Sequence, residues 1–144
     1  MGERHDMNGL WSGWFDYTGF SDPVPFTAWF DDVGGALTGT ILEPNTFAED
    51  MLEDLESEIA GERGGLIVSF DKTYREGQGA HRMPIRYEGE ADEDFEVIMG
   101  EWRFYRGGYG SGRFQLSRAS RSISEGILRK VLASAGDDRG DGSR

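Results

Sequence analysis

The feature that most constrains the fold of this chain is a short run of alternating large and small or polar residues, repeated along its length. Residues 9–17 show the alternation first, with Trp11, Phe15 and Tyr17 on one side. A period of two places successive side chains on opposite faces of a β-strand. Runs of this kind, separated by turn-forming residues, predict eight strands, at residues 9–17, 24–32, 36–43, 55–61, 66–74, 82–90, 95–105 and 112–118.

The connections between these runs are short, and glycine recurs within the runs or at their ends. None of the connections is long enough for a βαβ crossover, so sequential antiparallel pairing is predicted. Glycine weakens a flat strand but permits the sharp coiling of a small barrel, and closure removes exposed edges. The sequence therefore predicts an all-β fold, an eight-stranded antiparallel up-and-down β-barrel over residues 9–118, coiled at Gly13, Gly39, Gly61, Gly89, Gly100 and Gly112.

Two segments carry helical patterns. Thr46 and Glu49 fit a capping box, which predicts a short helix in the loop between strands 3 and 4. Whether residues 47–60 form that helix followed by a strand, or one helix continuing through Ile59, stays open. Ser122 and Glu125 form a second capping box, which predicts a C-terminal helix within residues 119–136. Flexible tails are expected at residues 1–8 and 137–144.

Composition excludes several classes of function. The formal net charge of −12 argues against nucleic acids and anionic membranes as partners. The chain has no cysteine, which excludes disulfides, thiolate metal sites and cysteine catalysis. Its two histidines suggest no metal site, and we assign no cofactor and no catalytic residue. Because no signal peptide or membrane span can be identified, we expect a cytoplasmic protein.

Three short motifs resemble the calycin superfamily of barrels, which includes lipocalins, fatty-acid-binding proteins and avidins. Gly9-Leu10-Trp11 is similar to the Gly-x-Trp that opens the first lipocalin strand, and residues 35–40 are similar to the third strand of streptavidin-like proteins. Arg118 stands where calycins place an arginine across that tryptophan. The resemblance covers residues 9–118. Loop lengths predict that Trp11 and Arg118 lie at the closed end of the barrel.

The resemblance implies no particular ligand. Gly13 and Phe15 stand where avidins offer polar groups to biotin, so biotin binding is not supported. The glycine and aromatic rhythm is also similar to that of a broad group of uncharacterised small bacterial proteins, to which the chain is closest. That likeness implies no activity.

Loop lengths predict which end of the barrel is open. The loops after strands 1, 3, 5 and 7 are longer than the other three and lie at one rim, where ligand mouths usually occur. Inward-facing side chains near this rim are the candidate ligand-binding residues, for a small apolar or aromatic ligand: Tyr17, Phe70, Lys72, Tyr74, Tyr87, Trp102 and Phe104.

Lys72 is the most unusual of these residues, because it shares a strand face with Phe70 and Tyr74. A lysine among aromatic rings binds an anionic ligand or, with a lowered pKa, acts as a nucleophile or base. The alternative is that the side chain extends to the rim or pairs with a carboxylate there.

Two other functions stay open from the sequence. If aromatic side chains fill the interior, the chain is a solid barrel that acts as an acidic interaction or inhibitor module, through the acidic residues between 43 and 58. A small-barrel cyclase or isomerase is the other alternative. On the outer face, Trp14 and Trp29 are expected to lie opposite each other and to contact the C-terminal helix or a second subunit, as in a homodimer.

Overall fold

A computed structural model describes residues 5–19, 22–44, 54–77, 81–107 and 110–119. Within these ranges each strand pairs antiparallel with the next, and the last pairs with the first, so the sheet closes into a barrel. The predicted all-β up-and-down barrel is confirmed. The described strands are β1 (Gly9–Phe15), β2 (Val24–Val33), β3 (Ala36–Pro44), β4 (Asp54–Gly64), β5 (Ile67–Tyr74), β6 (Ile85–Ala91), β7 (Val97–Phe104) and β8 (Ser111–Arg118).

The structure decides between the two alternatives for residues 54–60. These residues belong to β4, where Ile59 lies opposite Gly39 of β3 and Lys72 of β5. A single helix through Ile59 is therefore wrong, because alternate residues of this segment are buried inside the barrel. The start of the proposed short helix and the proposed C-terminal helix lie outside the described residues, which contain no helix.

Burial confirms the predicted inner face. Trp11, Phe30, Phe70, Tyr87 and Phe114 are among the largest fully buried side chains. The Phe70 ring stacks on Tyr87 with 5.0 Å between centroids and 10° between planes. Below the mouth, aromatic rings therefore fill the interior at contact distance, as an eight-stranded barrel requires.

Trp11 and Arg118 lie at the end opposite the long loops, as the loop lengths predict, and they pack on each other as the calycin resemblance implies. The Arg118 guanidinium lies 4.5 Å from the centroid of the Trp11 ring. Its N–H groups donate to the carbonyl oxygens of Asp6, Asn8 and Phe95 at 2.6–2.9 Å. Because a guanidinium has five fixed donors, this one side chain of β8 binds both the segment before β1 and the turn before β7.

The segment before β1 completes the closed end. Met7 is fully buried, and its carbonyl accepts a hydrogen bond from the Trp11 indole at 2.9 Å. Asp32 accepts hydrogen bonds from the backbone N–H of Met7 and Gly35 and from Arg63. The hydrogen-bonded structure therefore begins before Gly9, and the buried Met7 joins the hydrophobic core at this end of the barrel.

The register of β1 and β2 corrects one expectation about the outer face. Trp14 lies opposite Pro25, and Trp29 lies opposite Leu10, so the two tryptophans are not cross-strand partners. Both are half-buried and point away from the interior. Association with a second copy through them stays a prediction.

Candidate functional site

A cavity of about 260 Å³ opens at the rim of the long loops, where β1, β5, β6 and β7 end or begin. β6 begins at Ile85 rather than at the predicted residue 82, since Pro84 has no N–H for the strand ladder. The shorter strand leaves residues 81–84 as part of the cavity wall. Six of the seven candidate residues line this cavity: Tyr17, Lys72, Tyr74, Tyr87, Trp102 and Phe104.

Phe70 is the candidate residue that does not line the cavity. It lies below the floor, stacked on Tyr87 and 5.3 Å from the Phe30 ring. Its effect on the site is to support Tyr87 from beneath. Four further residues line the cavity, all absent from the candidate set drawn from the sequence: Phe15, His81, Met83 and Ile85.

A buried ion pair forms the polar part of the site. Lys72 is only 1% exposed, and its Nζ donates to Oε1 of Glu43. The Tyr74 hydroxyl donates to Oε2 of the same carboxylate at 3.0 Å. Lys72 therefore pairs with a carboxylate at the long-loop end of β3, as the alternative interpretation expected, but the pair is buried and does not extend into solvent at the rim.

Sequence reasoning missed Glu43. It shares a strand face with Leu37 and Ile41, both buried, and this even spacing was the signal that could have identified it. It was instead grouped with the acidic residues that follow it. A lysine on one inner face and a glutamate on another indicate an internal pair, because a lone buried charge is rare.

Burial shifts the protonation equilibria of the site. Desolvation lowers the pKa of Lys72, whereas the Glu43 charge opposes this shift. Desolvation and the same carboxylate raise the pKa of Tyr74 and of Tyr17, so both phenols stay protonated. Desolvation and the Lys72 charge lower the pKa of His81. The cavity therefore presents neutral imidazole and phenol groups beside the Lys72–Glu43 pair.

Aromatic rings surround the ammonium group. Lys72 Nζ lies 4.8 Å from the ring centroids of Phe15 and Tyr74, and 5.8 Å from that of Tyr87. These distances fall within cation–π range, where the faces of the rings attract the charge. The rings partly replace the water that Lys72 lost on burial.

Trp102 forms one wall of the cavity. Its indole N–H donates to the Asp16 carbonyl at 2.8 Å, which anchors β7 to the chain after β1. The Tyr17 ring meets it edge-on at 5.1 Å. His81 lies beside the rings of Tyr74 and Phe104, at 5.2 and 5.3 Å. The walls of the mouth are therefore aromatic on both sides.

A wider groove of about 490 Å³ lies outside the barrel, near the end of β1. Of its three carboxylates, Asp16 accepts hydrogen bonds from the backbone N–H and the guanidinium of Arg113, Glu88 pairs with Arg86, and Glu101 is exposed to water. A ligand in this groove would compete with these pairs and with water. The inner cavity is therefore the better candidate site.

Comparisons with known proteins add no assignment. No family model matches the chain, and no curated protein matches it. Among the residues that the structure describes, no helix is long and apolar enough to cross a membrane, and no cluster of three His, Asp or Glu side chains could hold a metal ion. The closed eight-stranded barrel is consistent with a calycin-like architecture.

Proposed function

We propose that this barrel binds a small apolar or aromatic molecule in the cavity at its mouth. The observation that carries the proposal is an aromatic cavity of about 260 Å³ in a barrel whose interior is otherwise packed. A cavity of roughly 150 Å³ is enough to bind benzene. The space at the mouth therefore suits a compound of one or two rings.

The cavity favours this function over that of a solid interaction module. Of the acidic residues between 43 and 58 that the structure describes, Glu43 is buried inside and Glu56 pairs with Arg75 at 3.2 Å. A basic partner would meet fewer free carboxylates there than the composition suggests. The aromatic walls, in contrast, are in place for an apolar ligand.

Blocking the mouth tests the proposal. Met83 lines the cavity and is 38% exposed, so Met83→Trp places a larger side chain at the entrance. We expect naphthalene to bind the unaltered protein and to bind Met83→Trp about tenfold or more weakly, which corresponds to about 1.4 kcal/mol. Equilibrium dialysis measures both affinities.

Met99→Trp is the matched control. Met99 is 60% exposed on the outer surface of β7 and does not line the cavity. The Met99→Trp protein should therefore bind naphthalene with the same affinity as the unaltered protein. Equal binding by all three proteins would place the ligand elsewhere. Absence of binding to the unaltered protein would contradict the proposal itself.

A further inference from the structure

Resting on the proposed function, we infer that the cavity selects a neutral aromatic compound of one or two rings that carries a carbonyl oxygen. Lys72 donates a hydrogen bond to that oxygen, and Tyr87 supplies a second donor. Two cavity-lining side chains carry this inference: Lys72, whose ammonium has more N–H donors than its one acceptor uses, and Tyr87, whose hydroxyl has no hydrogen-bond partner among the described residues. The charge balance of the site decides between a carbonyl and a carboxylate.

The Lys72 ammonium has N–H donors for which the described residues offer no acceptor. An ammonium group has three N–H donors. Among the described residues, the Glu43 carboxylate is the single hydrogen-bond acceptor of Lys72 Nζ, and the rings of Phe15 and Tyr74 lie on other sides. A buried donor without an acceptor destabilises the folded protein. Because Lys72 lines the cavity, an acceptor atom on a bound ligand would accept a hydrogen bond from one of these N–H groups.

Tyr87 is the second such donor. Its side chain is 1% exposed and lines the same cavity, yet no described residue accepts from or donates to its hydroxyl. Burial raises its pKa well above the ordinary value, so the hydroxyl keeps its proton. Among the described side chains, the Ser57 hydroxyl is the one fully buried polar atom without a hydrogen-bond partner, so the Tyr87 hydroxyl is not sealed in the core but is accessible from the cavity. Two donors left over around one cavity indicate a ligand that brings an acceptor.

The charge balance favours a neutral acceptor. Glu43 already supplies one negative charge to Lys72, and both groups are buried. A ligand carboxylate would place a second negative charge beside one positive charge, away from water, which is costly. The formal net charge of −12 also repels anions from the mouth. A ketone, aldehyde or ester oxygen accepts the hydrogen bonds without either cost.

Three naphthalene derivatives of similar shape test the inference. 2-Acetylnaphthalene carries the carbonyl, 2-isopropenylnaphthalene replaces its oxygen with a methylene group, and 2-naphthoate carries a carboxylate. A hydrogen bond from a charged donor contributes about 1.5–3 kcal/mol, so we expect the ketone to bind roughly tenfold or more tightly than the alkene. The carboxylate should bind more weakly than the ketone. Equilibrium dialysis of the full chain gives all three affinities.

Variants assign the preference to the two donors. The double substitution Glu43→Leu with Lys72→Met removes the ion pair without leaving a lone charge, and it should reduce the ketone-to-alkene ratio to about one. Tyr87→Phe should reduce the ratio by about threefold. Tyr105→Phe is the matched control, since Tyr105 is exposed outside the cavity, and its ratio should equal that of the unaltered protein.

The outcomes separate this inference from the proposed function. If all three compounds bind equally, the cavity is a ligand site but the inference is overturned. Tightest binding of 2-naphthoate would overturn the choice of a neutral ligand. If none of the three binds, the proposed function fails and the inference with it.

Discussion

Replacing Glu43 with glutamine is expected to lower the free energy of unfolding by about 3–5 kcal/mol, the usual result of removing one partner of a buried ion pair. Glu43 accepts hydrogen bonds from Lys72 and Tyr74, and both the carboxylate and the ammonium are shielded from water. The glutamine side chain keeps the shape but leaves the Lys72 charge without a counter-charge. Urea denaturation at pH 7 measures the difference.

The pH dependence of this variant identifies the cause. Without the Glu43 charge, desolvation alone acts on Lys72 and lowers its pKa further in the folded state. In the unfolded chain the pKa of lysine is about 10.4. Between these two values the unfolded state binds more protons, so the stability of Glu43→Gln rises with pH. We expect its deficit relative to the unaltered protein to shrink as the pH approaches about 10.

Two further proteins complete this test. Glu58→Gln removes a carboxylate that is 69% exposed, and its free energy of unfolding should stay within about 0.5 kcal/mol of the unaltered value. The double substitution Glu43→Leu with Lys72→Met should recover most of the loss, because apolar side chains of similar volume replace the pair. If Glu43→Gln proves as stable as the unaltered protein, the ion pair is not buried as described.

The second large effect is expected at Gly13. A Cβ atom added there would lie 1.8 Å from the Gln115 carbonyl oxygen and 2.9 Å from Leu116 Cα, both in the backbone of β8. Gly13 lies opposite Leu116 in the pairing of β1 with β8 that closes the barrel. Gly13→Ala must therefore push two strands apart, which should cost about 3 kcal/mol or more of the free energy of unfolding.

Gly64 provides the control for that substitution. It ends β4, and a Cβ atom there would meet nothing within 4 Å. Gly64→Ala should leave the stability within about 0.5 kcal/mol or raise it slightly, because alanine restricts the unfolded chain. Equal losses at the two positions in urea denaturation would show that chain entropy, rather than the contact between β1 and β8, sets the effect.

The strand pattern was largely accessible from sequence, because alternation is a local property. Trp11 and Phe15 were assigned to the inner face by their spacing, and both are buried there. The helix considered through Ile59 failed because apolar residues in a short segment can match both periods. Partners on β3 and β5 settle that ambiguity, and they lie far from Ile59 in sequence.

The candidate site was predicted in part. Six of its residues could be predicted from the alternate positions that face inward on each strand and from the choice of the open rim. Glu43 did not follow, since it was grouped with the acidic residues from Glu49 to Glu58 as a solvated stretch, although its immediate neighbours are Leu42 and Pro44. Trp14 and Trp29 show the same limit, because symmetric numbering around a loop does not establish the register of two strands.

The sequence by itself determined an eight-stranded barrel, its inner face and its closed end at Trp11 and Arg118, since these depend on alternation, turns and a few large side chains. Only the tertiary structure brought Lys72 to Glu43. The two residues lie on β5 and β3, which do not pair with each other, and their long side chains meet inside the barrel across β4. The tertiary structure likewise determines the cavity and leaves donors of Lys72 and Tyr87 without acceptors, because barrel closure and strand register determine which polar groups find partners.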